Sequence, residues 1–348
     1  MEKAGVDGLP APHHPAAMLL FSDTGLSPLL ILLLALALDA VVGEMSLIFR
    51  VLPHPVAAIG KLIGLLERKL NRPSRTEGSR RMRGILVLVF MLLLSAGIGW
   101  GIAWAARQVP YGWIAEVVLA SLLIAQRSLY DHVREVARAL EESGLWGGRV
   151  AVSMIVGRDP QSLDEYGVSR AAIESCAENF SDGIVAPVFW FVLFGLPGLL
   201  VYKTVNTLDS MIGHMSERYR AFGMASARLD DLMNLIPARL SGLLLVLAAS
   251  AYRGASGWRS LRIMLRDAGN HRSPNSGWPE AAMAGALDLA LAGPRRYGEV
   301  TVPDRWIGDG KARATATDIR RALNLYVLAC VLNAALVAGL FWVMVHWG

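Results

Sequence analysis

Cysteine and charge are both scarce in this 348-residue sequence. Cys176 and Cys330 are its only cysteines, and neither lies in a CxxC or other ligand spacing, so the sequence predicts no disulfide framework and no zinc site. Charged residues make up 18% of the chain, whereas hydrophobic residues make up 54%. This balance argues against an ordinary soluble protein and indicates that lipid is the surrounding solvent.

Several sequence signatures are absent as well. Neither GxxxxGK[ST] nor GxGxxG occurs, so any nucleotide is held without a P-loop or a Rossmann fingerprint. No basic stripe is interleaved with aromatic residues, which argues against nucleic acid as a partner. Residues 1–25 have neither a hydrophobic period nor a basic n-region, so we expect a disordered N-terminal lead rather than a cleaved signal peptide.

Long apolar runs dominate the rest of the chain. A helix needs about 20 mostly apolar residues to cross the hydrocarbon layer of a bilayer. The sequence therefore predicts an all-α, polytopic membrane protein in which residues 26–348 form a single membrane-embedded domain. The runs expected to be full spans are Leu26–Val42, Gly84–Ala106, Trp113–Ala125 and Leu325–Trp347.

The basic residues between these runs predict their orientation, because cytoplasmic loops keep Lys and Arg. Residues 44–83 carry nine basic side chains and residues 253–324 carry twelve. Both segments are therefore expected on the cytoplasmic side of a cell inner membrane, together with residues 127–183. Residues 107–112 and both termini are then expected outside.

Two weaker apolar runs, Ile184–Tyr202 and Arg239–Tyr252, conflict with this scheme if each is a full crossing, because the basic segment 203–238 would then lie outside. Gly195-Leu196-Pro197-Gly198 interrupts the first run, and Pro237 stands at the entrance of the second. Broken helices are tolerated at membrane depth where protein or a water-filled cavity satisfies the backbone. The pair is therefore predicted to be partly re-entrant, which keeps residues 203–238 on the cytoplasmic side.

Acidic residues recur every four positions before the first of these two runs. Arg170, Glu174, Glu178 and Asp182 follow one slowly drifting face of a helix. Like charges at this spacing repel each other. A divalent cation shared by Glu174 and Glu178 would remove the repulsion, and Mg²⁺ favours carboxylate oxygens together with substrate phosphates. A solvated acidic face, partly offset by Arg170, is the alternative.

Further polar clusters lie close to the predicted spans, where polar groups are expensive and are therefore functional candidates. Helix-to-helix hydrogen bonding is the alternative explanation. A sharp turn at Gly157-Arg158-Asp159-Pro160 could also cradle a phosphate. The candidates are Arg158 and Asp159 in the turn, then Lys203, Asn206 and Asp209, then Arg228, Asp230 and Asp231, and finally Asn275 and Glu280.

Several unusual strings occur in a fixed order along the chain. They are Leu38-Asp39, Gly43-Glu44, His54-Pro55-Val56 with Gly60, Val152–Asp159, Ser169–Trp190, Tyr202–Gly213, Ala227–Leu240 and Ser273–Leu287. In these strings the sequence resembles the adenosylcobinamide-phosphate synthases, or cobinamide synthases, of cobalamin biosynthesis (the CobD/CbiB family). Met45 departs from the family pattern, which has proline after Gly43-Glu44, and Ala292-Gly293 stands where a Gly-Gly pair is common.

The resemblance implies an ATP-dependent, Mg²⁺-requiring ligase that joins aminopropanol, or its phosphate, to the propionate carboxylate of adenosylcobyric acid. On this hypothesis Mg²⁺ and nucleotide are bound by Glu174, Glu178, Asp182, Asp230 and Asp231. The phosphate contacts come from Arg158, Arg170, Lys203 and Arg228, and Asp159 is a further cofactor-binding residue. The corrinoid carboxylate is oriented, or the amine proton taken, by Asn206, Asp209, Asn275 and Glu280. Whether the protein works with a partner protein or as a homo-oligomer is left open.

Two other functions compete with the ligase. A membrane prenyltransferase would also pair Asp-rich helical motifs with Mg²⁺, and Asp230-Asp231-xx-Asn234 is superficially similar to such a motif. These enzymes need two strong aspartate motifs, however, and Asn206-xx-Asp209 is a weak second one. A transporter could use Asp39, Glu116 and Arg239 within the membrane, but transporters usually contain an internal repeat, and none was found. Three assays distinguish these functions. A prenyltransferase consumes isoprenyl diphosphate, the ligase consumes ATP, and a transporter produces flux in proteoliposomes without a chemical product.

Overall fold

The computed structural model describes residues 26–43, 54–157, 160–297, 300–302 and 304–347, and over these ranges the predicted all-α architecture is confirmed. The expected disordered lead, residues 1–25, lies outside the described residues. The α-helices are α1 (Pro28–Val42), α2 (Pro55–Leu70), α3 (Glu77–Arg107), α4 (Trp113–Leu123), α5 (Gln126–Val152), α6 (Glu165–Phe180), α7 (Ala186–Ile212), α8 (Met224–Ala251), α9 (Gly257–Asp267), α10 (Gly277–Leu287) and α11 (Ala316–Trp347).

Within the described ranges, five helical stretches are long and apolar enough to cross a membrane, so the chain is a multi-pass membrane protein. The predicted spans Gly84–Ala106 and Leu325–Trp347 lie inside α3 and α11. Large apolar side chains on α3 are exposed, as on a lipid-facing surface. They include Leu86, Phe90, Leu93, Trp100 and Trp104. The five stretches are Glu77–Arg107, Trp113–Val152, Glu165–Ile212, Met224–Ala251 and Ala316–Trp347.

The break predicted at Gly195 is present, and it reverses the chain within α7. Gly195 has φ 62°, which L side chains rarely adopt. The Tyr202 hydroxyl lies 3.1 Å from the carbonyl oxygen of Asp182, although a straight helix would separate residues 20 positions apart by about 30 Å. Gly198 packs so tightly on the Trp190 carbonyl that a Cβ would overlap it. The segment from residue 182 to residue 212 is therefore a helical hairpin, and its orientation towards a membrane stays a prediction.

The boundary predicted for the second weak run is wrong. The helix begins at Met224, well before Arg239, and Pro237 lies inside it. A proline removes one backbone hydrogen bond, and a packed environment compensates for that loss. Pro237 is buried, and the Met233 carbonyl, which loses its intrahelical donor because proline has no N–H, accepts a hydrogen bond of 3.2 Å from Trp190 Nε1. Residues 224–238 therefore belong to the same helix as the predicted run.

Short strands between α10 and α11 were not expected from the sequence. β1 (Leu291–Ala292) pairs with β4 (Trp306–Ile307), and β2 (Arg295–Tyr297) pairs with β3 (Val300–Val302), both in antiparallel register. Ion pairs from Arg259 and Arg266 to Asp309 join α9 to the segment after β4. Hydrogen bonds from these arginines lower the pKa of Asp309 to about 2, so this carboxylate is ionised at neutral pH.

Candidate active site

Two adjoining cavities open where α1, α2, α5 and α7 meet, and we call them together the Lys203 cleft. The first has a volume of about 560 Å³ and the second about 390 Å³. Ala125, Ser128 and Lys203 line both. The first is also lined by polar or glycine positions from the family-like strings, namely Asp39, Gly43, His54, Gly60 and Thr207. The second is also lined by His132, Gly157, Asn179, Gly183 and Asn206.

The hairpin places Lys203 in this cleft, because its second arm brings the chain back beside Asp182. Lys203 is half-buried, and in the described part of the chain no carboxylate lies within ion-pair distance of its ammonium. The charges of Asp182 and Asp39 are near enough to act on it. Asp39 itself accepts hydrogen bonds from the Gln126 backbone N–H at 2.8 Å and from Gln126 Nε2 at 3.3 Å, which joins α1 to the start of α5. Lys203 is thus a cation available to a bound anion.

A group of carboxylates lies next to the cleft. Asp182 belongs to a π-helical turn, Ser181–Val185, that separates α6 from α7. Its charge is close enough to interact with those of Asp230 and Glu178, and Asp209 interacts similarly with Asp231. The π turn widens the helix locally, a feature frequent at functional sites. We call this group the acidic cluster; it consists of Glu178, Asp182, Asp209, Asp230 and Asp231.

Amide side chains hold the central carboxylate of this cluster. Asn234 Nδ2 donates to Asp230 Oδ2 at 3.0 Å, and Asn206 Nδ2 approaches Asp230 Oδ1 at 3.5 Å. The Tyr202 hydroxyl lies 2.9 Å from Asn234 Oδ1. Asp230 is buried and therefore has a fixed position between α7 and α8.

The segment from Ser273 to Glu280 reaches the same region. Ser276 Oγ donates to Glu178 Oε1 at 3.0 Å. Asn275 Nδ2 donates to the backbone carbonyl of Asp231 at 2.7 Å, and Asn275 Oδ1 accepts from Arg239 Nη1 at 2.9 Å. The structure therefore brings Glu178, Asp231 and Asn275 together from three separate parts of the chain.

Other predicted site residues lie apart from this centre. Glu174 accepts from the Ala292 N–H at 2.8 Å and ties α6 to β1. Arg170 donates to the Ala312 carbonyl and stacks over Trp306. Arg228 is exposed at the start of α8. Glu280 is buried beside His271, with 3.6 Å between Glu280 Oε1 and His271 Nε2. Arg158 and Asp159 lie outside the described residues.

The acidic cluster does not form a complete protein cage for a metal. Among the described residues, no three His, Cys, Asp or Glu side chains are grouped closely enough to hold one. Mg²⁺ does not need such a cage, because it is usually bound by one or two carboxylates together with waters and substrate phosphates. The donor chemistry of Asp182, Asp230 and Asp231 fits that mode.

Sequence reasoning missed three features of the cleft. His132 lies on the amphipathic helix α5, beside an apolar stripe whose members Val133 and Val136 are fully buried, and a single histidine there gives no periodic signal. Asp39 and His54 line the cleft, although no catalytic or binding role was assigned to them for the ligase. The family-like strings could have indicated Asp39 and His54, because the strings that contain Asp39, His54, Asn179 and Lys203 all contribute to one cleft, whereas His132 lies in none of these strings.

Fold and site together define a polytopic helical membrane protein with a polar, charged cleft between its helices. Residues 32–326 match the family model described as CobD/Cbib protein. The chain therefore belongs to the CobD/CbiB family of cobalamin biosynthesis, which confirms the resemblance seen in the sequence.

Curated relatives are similar over nearly their whole length. The chain is 54% identical over 312 residues to the cobalamin biosynthesis protein CobD of a Sinorhizobium species, which covers 89% of this chain and 97% of the relative. The CobD protein of Brucella melitensis is 51% identical over 90% of this chain and 98% of its own length. That of Rhodobacter capsulatus is 47% identical over 85% and 91%. No solved structure matches the chain.

Proposed function

We propose that this protein is an ATP-dependent acid–amine ligase of the cell inner membrane. It joins aminopropanol, or aminopropanol phosphate, to the propionate carboxylate of adenosylcobyric acid and gives adenosylcobinamide or its phosphate. One observation carries the proposal: a half-buried lysine stands between two open cavities and next to the acidic cluster. Membership of the CobD/CbiB family supports the role in cobalamin biosynthesis. The basic segments 44–83 and 253–324 support a position of these segments on the cytoplasmic side of the inner membrane.

The chemistry explains why both signs of charge are needed. A carboxylate does not react with an amine until one of its oxygens becomes a leaving group, most simply as an acyl phosphate. The terminal phosphoryl group of ATP is transferred to the carboxylate oxygen and ADP leaves; the amine then attacks the acyl carbon and phosphate leaves. Phosphoryl transfer depends on positioning and on cations that spread the charge. Mg²⁺ would neutralise phosphate oxygens during this transfer.

The residues divide into three roles. Asp182, Asp230 and Asp231, with Glu178, would bind Mg²⁺ and nucleotide, and Lys203 would contact the transferred phosphoryl group. Asn206 and Asp209, on the same hairpin arm as Lys203, would orient the corrinoid carboxylate, with Asn275 supporting α8 through Asp231. Arg158, Arg170 and Arg228 remain proposed phosphate contacts and Asp159 remains a proposed cofactor-binding residue, while Glu174 and Glu280 are buried apart from the acidic cluster.

The reaction itself is the primary test. Purified protein is incubated with ATP, Mg²⁺, adenosylcobyric acid and either aminopropanol or its phosphate, and the products are identified by mass spectrometry. We expect ADP and one amide product whose mass shows which amine was used. If neither amine yields an ATP-dependent product, the ligase proposal is wrong.

Removal of one carboxylate tests the proposed metal role. Asp231→Ala should weaken the apparent Mg²⁺ affinity by about 10–100-fold, the usual cost of disturbing a metal's surroundings. The substitution preserves the hydrogen bond from Asn275, because that bond ends on the backbone carbonyl of residue 231. The measurement is the Mg²⁺ dependence of amide formation.

Glu142→Ala is the matched control for this experiment, because Glu142 pairs with Arg138 on the exposed surface of α5. Its Mg²⁺ dependence should equal that of the wild type. An Asp231→Ala variant with an unaltered Mg²⁺ dependence would remove this residue from the metal site.

A further inference from the structure

His132 lines the Lys203 cleft, and one of its two imidazole nitrogens has no hydrogen-bond partner among the described residues. Its Nδ1 lies 2.8 Å from the backbone carbonyl oxygen of Ser128. A carbonyl oxygen only accepts hydrogen bonds, so Nδ1 carries the hydrogen in this contact. In the neutral ring Nε2 then holds the lone pair. Among the described residues, no hydrogen-bond partner of Nε2 is found.

The surroundings of this nitrogen suit a small polar ligand. His132 lines the cavity of about 390 Å³ together with Lys203, Asn179 and Asn206. Of the described residues that line this cavity, only His132 and Lys203 are titratable. A cavity of this size has room for several small molecules, since one water occupies about 30 Å³ in the liquid. The histidine and the lysine therefore face the same space.

The proposed ligase needs a base at such a position. An alkyl amine resembles a lysine side chain, whose pKa is about 10.4, so it reaches the enzyme at neutral pH as an ammonium ion without a lone pair. It becomes a nucleophile only after it loses a proton. Histidine is the commonest side chain for this task, because its ordinary pKa lies close to neutral pH.

We propose that His132 Nε2 is the catalytic base that accepts the proton of the ammonium substrate. This inference rests on the proposed ligase function. The free amine then attacks the activated acyl carbon, the C–N bond forms, and the C–O bond to the phosphoryl group breaks. The departing phosphate keeps that electron pair and takes the second nitrogen proton, and the imidazolium returns its proton to water.

Hydroxylamine provides a test that separates deprotonation from the other steps. Unlike aminopropanol, it is largely unprotonated at neutral pH, so it needs no base to become a nucleophile. With wild-type protein, ATP, Mg²⁺ and adenosylcobyric acid, we expect an amide from aminopropanol and a hydroxamate from hydroxylamine. In His132→Gln the kcat/KM for the amide should fall by about 10²-fold or more, the usual contribution of a general base. Hydroxamate formation should persist.

Two further variants make the outcome decisive. His132→Asn keeps a side-chain N–H that can reach the Ser128 carbonyl and also lacks the basic nitrogen, so it should behave like His132→Gln. His346→Gln is the matched control, because His346 makes the same contact to the carbonyl four residues earlier, Trp342, at 2.9 Å, but lies exposed near the end of α11. It should leave both products unchanged.

The two products distinguish the possible failures. If both fall in parallel in both His132 variants, His132 serves folding or carboxylate activation and the proposal is overturned; full amide formation in either variant overturns it as well. If the wild type forms neither product, the ligase function itself has failed.

Discussion

Lys203→Met is expected to reduce kcat/KM for ATP-dependent amide formation by about 10²–10³-fold, the usual cost of removing a group that stabilises transition-state charge. Methionine keeps much of the length of the side chain and removes its charge. Among the described residues that line both cavities of the cleft, Lys203 is the only charged one, so a phosphoryl group transferred there would lose its nearest cation. The measurement is steady-state kinetics on purified protein with saturating Mg²⁺.

Lys69→Met is the control for this variant. Lys69 is exposed on α2 and lines neither cavity of the cleft. Its replacement should leave kcat/KM unchanged. Equal activities of Lys203→Met and the wild type would show that the cleft is not where phosphoryl transfer occurs.

Gly84→Ala is expected to destabilise the folded protein by about 1–3 kcal/mol or more, the range found when extra atoms are forced into a packed interior. Gly84 lies on α3 where this helix crosses the connection between α7 and α8. A Cβ at this position would overlap the backbone carbonyl oxygen of Phe222. A backbone atom cannot move aside as a flexible side chain does. Thermal unfolding of detergent-solubilised protein measures the change.

The same helix provides the matched control. Gly97 is exposed, and nothing lies within 4 Å of a Cβ built there. Gly97→Ala should therefore keep or raise stability, by up to about 1 kcal/mol, because alanine is the better helix former. If the two variants had the same melting temperature, the close packing of α3 on Phe222 would be refuted.

The sequence was most informative where local chemistry decides the structure. A run of about 20 apolar residues has few alternatives to a membrane helix, and α3 and α11 contain the predicted spans. The reversal at Gly195 was also readable, because glycine permits a positive φ and a nearby proline interrupts a helix. The family resemblance was confirmed because long strings in a fixed order are far more specific than any single motif.

Features that depend on tertiary contacts were not predictable in the same way. Pro237 looked like a helix boundary, yet its neighbours keep it inside α8. Periodicity alone placed Glu174 and Glu178 together, but Glu174 bonds to β1, a strand that the sequence did not indicate. The acidic pattern identified the region of the cluster, whereas the cleft beside it depends on α1, α2 and α5, which are distant in sequence from Lys203.

The helical hairpin has a consequence for biogenesis. If the hairpin lies in the membrane as predicted, the turn at Gly195 makes its two ends lie on the same side, so the next helix begins on the side where the hairpin began. Its polar return arm is too costly to remain alone in lipid. α3 precedes this arm in the chain and offers Ser95 to Thr204, whose hydroxyl oxygens lie 2.6 Å apart, so a polar partner is already present when the arm is made.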